Sequence, residues 1–200
     1  FGNKLPNIPE RNFLRGYGIW GAIDRLGIPT FLKKNKKESV GFLISHGEVL
    51  ARISNKIELS SNEDEWGIPI PFIDFEWSEN EIRMIEHMKI TMKSAIEASG
   101  GEIKNLSDIV NLPLLNILDK RSIALSGKVP PPGYYIHEVG GAPMGEKEDE
   151  SVTDKWNRLW RCKNVFVLDG SCWPTSSWQS PTLTMMAITR RACLSIKKLI

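Results

Sequence analysis

Apolar and polar residues alternate along much of the first half of the chain, which is the period of a half-buried strand. "VGFLIS", "GEVLARIS" and "KIELS" are predicted as short strands, with Ile57 and Leu59 on one face and Lys56 and Glu58 on the other. Such alternation belongs to a sheet with one wet face. "NEDEWGIPIP" is assigned to turn and loop, because Pro69 and Pro71 lack the N–H a paired strand needs. "FIDFEW" then resumes the pattern, with Ile73, Phe75 and Trp77 opposite Asp74 and Glu76. From Ser78 the period changes to that of a helix. Ser78 and Glu81 form an S-x-x-E capping box, Ile85, Met88, Met92, Ala95 and Ile96 share a face, and Gly100-Gly101 end it. The methionines fill core in this pattern. His87 falls with Asn80, Arg83 and Thr91 on the polar side and is expected at the surface, and His46 in "SHGE" is given the same unremarkable role.

The pattern weakens from Asn105 to Gly127, where Pro113 interrupts a moderately apolar stretch. "VPPPGYYIHEVGGAPMGE" is loop-rich. In "NVFVLDGS" the run Val165 to Leu168 has no polar alternation, so it is expected to be a strand buried on both faces, stopping at Asp169-Gly170. A last helix is predicted from "SPTLTMMAITRRA", with Ser180 as N-cap, Pro181 at the first helical position, and Leu183, Met186, Ala187 and Arg190 continuing it. Two kinds of strand therefore point to two different sheets.

Composition narrows this picture by exclusion. The 26 basic and 24 acidic residues leave a formal charge of +2, which gives no electrostatic case for nucleic acid or a membrane surface. "KKNKK" (Lys33 to Lys37) is then a solvated loop. Cys162, Cys172 and Cys193 match neither a zinc knuckle nor a redox CxxC, so they are read as inert thiols with no metal site. No apolar run approaches the roughly 20 residues of a membrane-spanning helix.

"GYGIWG" (Gly16 to Gly21) fits G-x-G-x-x-G, but no buried strand precedes it and "AIDRLG" is too short for the helix that should follow. It is taken as a glycine-rich connection. His137 stands between "YYI" and "EVGGAPMG", where an aromatic entry meets a loop whose backbone can approach a ligand closely. Taken alone, a histidine there is more often a core or loop residue. No G-x-S-x-G or Cys/His pairing supports hydrolysis. The start of the last helix offers free amides and a positive dipole end, which stabilise negative charge on a ligand.

The ordered series "IHEVGGAPMG", "SVTD", "NVFVLDGS", "PTSS" and "SPTLTMMAITRRA" closely resembles the C-terminal signature of the glucose-methanol-choline (GMC) flavoprotein oxidoreductases. "RGYGIWGA", "GEVLARISNKIELS" and "WGIPIPFIDFEWSENE" look like the substrate-domain half of bacterial members, so the resemblance covers nearly the whole chain. It implies FAD-dependent oxidation of an alcohol or sugar CH-OH group, with His137 as catalytic base. It places Asp169, Gly170, Pro181 and Thr182 against FAD. Ser180 stands where the family usually has Asn or His, the second member of the catalytic pair, and Gln179 is the alternative group to reach in. "GGAPMG" also departs from the usual Thr, Cys or Arg-bearing loop.

The resemblance implies an α+β fold, a mostly antiparallel sheet covered by helices. Residues 1–163 would form the substrate domain, and 164–200 the strand and helix that complete an α/β FAD-binding domain. Because the dinucleotide fingerprint is missing, the chain is expected to be the C-terminal portion of a longer protein. Its expected partners are the N-terminal FAD-binding half and a small alcohol or sugar. Alone it should hold FAD poorly or not at all. The rival reading is a catalytically silent module that serves in binding or structure. The compartment is open, with the cytoplasm as the default expectation.

Overall fold

The computed structural model describes residues 8–24, 26–112, 129–133 and 135–197. Its contacts divide the chain into two units, Phe1–Gly47 with Glu79–Pro131 and Glu48–Ser78 with Pro132–Ile200.

In the first unit, β1 (Tyr17–Ile23) pairs antiparallel with β2 (Gly41–Gly47), and α1 (Glu79–Ala98) packs on them. The glycine-rich "GYGIWG" therefore lies in a strand, not a connection, and delivers nothing to a helix N-terminus. Two glycines have a packing reason. A Cβ on Gly21 would lie 2.1 Å from the Phe42 carbonyl oxygen, and one on Gly47 would lie 2.4 Å from Met88 Cε and 2.6 Å from Met84 Cε. Phe13, Met84 and Met88 are the buried centre of this unit, with Tyr17, Ile85 and Met92 against them. Removing such side chains from water stabilises by about 1.5–3 kcal/mol each.

α1 starts where the sequence puts it, with Ser78 before Glu79 and Glu81 at the third helical position, 1% exposed. It ends in a Schellman motif. Gly100 takes φ +80°, its N–H donates to Glu97 O at 3.0 Å, and the Gly101 N–H donates to Ile96 O at 2.9 Å.

His87 corrects the surface assignment, being only 9% exposed. Its Nε2 faces the Pro9 carbonyl at 2.9 Å, so that nitrogen carries the proton, and Nδ1 accepts from the Tyr17 hydroxyl at 2.6 Å. The Phe13 and Tyr17 rings meet its edge. A short helix, α2 (Leu106–Ile109), falls in the stretch of weak pattern, and a bridge from Val110 to Lys33 follows it. The rest of that stretch, residues 113–128, lies outside the described residues.

In the second unit, β3 (Lys56–Glu63) pairs antiparallel with β4 (Pro69–Asp74). The predicted strand at 47–54 does not form: an Asn55 N–H to Arg52 O turn replaces it, and Arg52 donates to Glu76 Oε1 at 2.6 Å. Pro69 and Pro71, assigned to loop, are inside β4. Among the described residues β4 pairs with β3 alone, so the two prolines, two residues apart, share the side where a missing N–H has no described strand to face. The buried strand predicted at residues 165–168 is also absent. Val165 is 40% exposed, and the only ladder contact there is an isolated bridge from Phe166 to Arg158. A strand buried on both faces belongs to a sheet covered above and below, and no described strand pairs along 165–168 to build such a sheet. The remaining helix, α3 (Thr182–Ile196), follows a 3-10 turn at Gly170–Cys172. Antiparallel pairs and separate helices make the fold α+β.

Candidate functional site

The six residues singled out from the sequence all lie in the second unit, and the backbone explains how most of them meet. The loop after His137 runs beside the 3-10 turn. Gly140 N–H donates to Gly170 O at 3.2 Å, Ala142 N–H to Ser171 O at 2.7 Å, and Met144 N–H to Cys172 O at 2.7 Å. On its other side the loop takes up "SVTD", through a parallel bridge from Met144 to Thr153 and Gly145 N–H to Thr153 O at 2.9 Å. Three segments distant in sequence are thus laced by main-chain bonds.

His137 is half-buried and has φ +88°. Histidine is among the few non-glycine residues enriched at positive φ, yet the conformation costs on the order of 1–3 kcal/mol. Gly140, three positions on, adopts φ +89° without that cost.

Asp169 caps the turn: its carboxylate accepts the Ser171 N–H at 2.8 Å and the Ser171 hydroxyl. Those bonds to the charged form hold its pKa below the ordinary carboxylate value. Gly170 is buried where no side chain fits. A Cβ there would lie 2.6 Å from Met185 Cε and 3.2 Å from Glu138 O. The glycine thereby lets the His137 loop and α3 close on the same point.

At the start of α3 the sequence assignment shifts by one residue. Pro181 is buried and stands at the N-cap, and its carbonyl accepts the Met185 N–H at 2.9 Å. Its φ of −82° and ψ of −18° are already helical, so Ser180 lies outside the cap. No side chain caps this helix. Ser180 and Thr182 are exposed, and Ser180 makes no side-chain hydrogen bond among the described residues. Gln179 is exposed as well, with its N–H on Ser177 Oγ at 3.1 Å. Leu183, Met186 and Leu194 leave 79%, 65% and 54% of their surface exposed, so α3 carries an unpartnered apolar stripe.

Two residues that sequence reasoning missed fix α3 in place. Asn157 is fully buried at φ +70°, and its Oδ1 accepts from Arg191 Nη2 at 3.2 Å. Arg191 also donates to Lys155 O at 2.7 Å and stacks over Trp156. Thr189 Oγ1 adds a bond to Leu168 O at 2.9 Å. Nothing in "DKWNR" announces this, apart from the tolerance of asparagine for positive φ. Trp173, 7% exposed, holds a buried indole N–H with no partner among the described residues. No group of His, Cys, Asp and Glu among the described residues could hold a metal ion, and no described helix is long and apolar enough to cross a membrane.

The family model for GMC oxidoreductase, in its C-terminal portion, matches residues 51–189. The chain is 30% identical over 147 residues to a 2-methyl-1,2-propanediol dehydrogenase of Mycolicibacterium austroafricanum, covering 73% of this chain and 23% of that protein. It is 25% identical over 144 residues to a paromamine 6'-oxidase of Streptomyces fradiae, covering 72% and 23%. It is 24% identical over 163 residues to a gluconate 2-dehydrogenase flavoprotein of Pantoea cypripedii, covering 77% and 23%. The match spans about a quarter of the length of these relatives.

Proposed function

The chain belongs to the GMC oxidoreductase family through its C-terminal domain, and from that premise we propose that it supplies the proton-handling half of an FAD-dependent oxidation of a CH-OH group. Its relatives are named as dehydrogenases and an oxidase of 2-methyl-1,2-propanediol, gluconate and paromamine, so the proposed substrate is a small alcohol or sugar. The observation that carries the reading is the lacing of the His137 loop to the Asp169–Gly170 turn, with Met185 of α3 packed beneath.

The residues present suit a flavin. α3 opens without a side-chain cap, so its first amides are donors that an electron-rich ligand would satisfy. In the proposed site Asp169, Gly170, Pro181 and Thr182 hold the cofactor. FAD held there would supply the hydride acceptor. His137 takes the hydroxyl proton, a task its imidazole suits because a neutral ring offers one nitrogen lone pair that can accept it. Ser180, exposed and outside the cap, is a weakened partner whose hydroxyl can donate or accept but carries no charge. The amides at the start of α3 favour negative charge opposite them. The remaining FAD contacts would come from an N-terminal half, so the domain division at 163/164 belongs to that longer protein.

The test is His137→Ala in the FAD-containing protein, with turnover expected to fall by roughly 100-fold or more while flavin content is kept. Unchanged turnover would overturn the base assignment. A yellow wild-type protein that turns over no alcohol or sugar would favour the silent-module reading instead.

A further inference from the structure

We infer that Asn157 is a positioning residue for the cofactor side of the site, acting through Val167, Cys172 and Arg191. The inference rests on the functional reading above, and it names a part of the site that the family signature does not. Asn157 is 0% exposed, and every polar group it has is engaged. Its backbone carbonyl accepts the Val167 N–H at 2.9 Å, and its Nδ2 donates to Val167 O at 3.1 Å. The other Nδ2 hydrogen goes to Cys172 Sγ at 3.0 Å, whose thiol in turn donates to Asp169 O at 3.0 Å. Its Oδ1 takes the Arg191 guanidinium of α3 at 3.2 Å.

One side chain therefore ties together both pieces assigned to the cofactor. The turn carrying Asp169 and Gly170 is held through Val167 and Cys172. The helix carrying Pro181 and Thr182 at its start is held through Arg191, with Thr189 to Leu168 as a parallel tie. Only an amide can do this, since it must donate twice and accept once in fixed directions. An aspartate of the same shape presents an acceptor where two donors are needed, and an alanine leaves Val167 O without its side-chain donor and removes the link to Arg191. Displacing the start of α3 from the Asp169 turn by even 1 Å is enough to misalign groups held at near-attack distance.

The experiment compares Asn157→Asp and Arg191→Met with wild type in the FAD-containing protein. We expect both variants to shift the flavin midpoint potential and to lower kcat by roughly 10- to 100-fold. KM should stay unchanged, because no substrate contact is touched. Flavin content, potential and kcat all equal to wild type would overturn the inference. Arg191 is exposed, so Arg191→Met carries the test should Asn157→Asp not fold. If the longer protein with its N-terminal half takes up no FAD, the flavin reading fails separately, and hydrogen exchange on the 200-residue chain then decides the positioning. Faster exchange at the Ser171 and Met185 amides in the variants supports the tie, and unchanged exchange overturns it.

Discussion

Gly170→Ala tests how tightly the site is closed, since its cost can be built from named atoms. The added methyl would lie 2.6 Å from Met185 Cε, 3.2 Å from Glu138 O and 3.3 Å from Val139 Cγ1. The methionine end can swing aside, whereas Glu138 O is main chain held within the laced loop and yields only by tenths of an ångström. Overpacking of this kind costs about 1–3 kcal/mol. For a chain of this length each kcal/mol lowers Tm by about 2–4 °C, so a drop of roughly 2–12 °C is expected in thermal unfolding followed by circular dichroism. Met185→Ala alone should cost less than the about 2–5 kcal/mol of a fully buried methionine, because Met185 is half-buried. Combined, the two changes should cost less than their sum by at least about 0.5 kcal/mol, the signature of a shared contact. Strict additivity would place the strain on Glu138 O, and a neutral Gly170→Ala would refute the close approach altogether. The contact also matters chemically, since pushing Glu138 O aside moves the residue next to His137.

Two further outcomes are expected. Cys162 and Cys193 are exposed, while Cys172 is buried and desolvation pushes its thiol above the ordinary pKa, so a thiol reagent at neutral pH should label two cysteines in the native chain and the third only on unfolding. Rapid labelling of all three would show the Asn157 knot to be open. Tyr17→Phe removes the donor to His87 Nδ1 and leaves Thr91 Oγ1 at 3.3 Å as the nearest replacement, which should cost about 1–2 kcal/mol. The urea midpoint should fall at constant m, and an unchanged midpoint would refute the bond.

The sequence made the long helix fully legible, because its cap, its apolar period and its paired glycines agree with one another. It also placed His137, Asp169, Gly170 and the start of α3 in one region, through ordered motifs and not through any single one of them. The failures have physical causes. β1 was hidden because its glycines read as a connection, although Gly21 is there to admit the Phe42 carbonyl. The first half of β4 was hidden because a proline excludes only a strand paired on both sides, while "FIDFEW" covered its second half. His87 sits among polar residues in the helical pattern, and its burial comes from Pro9, Phe13 and Tyr17, which lie some 70 to 78 positions away. Asn157 had no local signal, since its importance comes from three partners distant in sequence.

That same asparagine changes what sets the register of the apolar segment at 165–168. In an ordinary sheet a ladder of many bonds resists slippage, whereas here one main-chain bond from the Leu159 N–H to Val165 O is followed by Val167, whose N–H and carbonyl are both matched by Asn157. The distance along the chain from Val167 to Cys172 is gauged by the two hydrogens of one NH2 group. An insertion or deletion there would break the gauge, and the turn at 160–164 is tied separately, by the Trp160 N–H to Val152 O and its indole N–H to Ser151 Oγ.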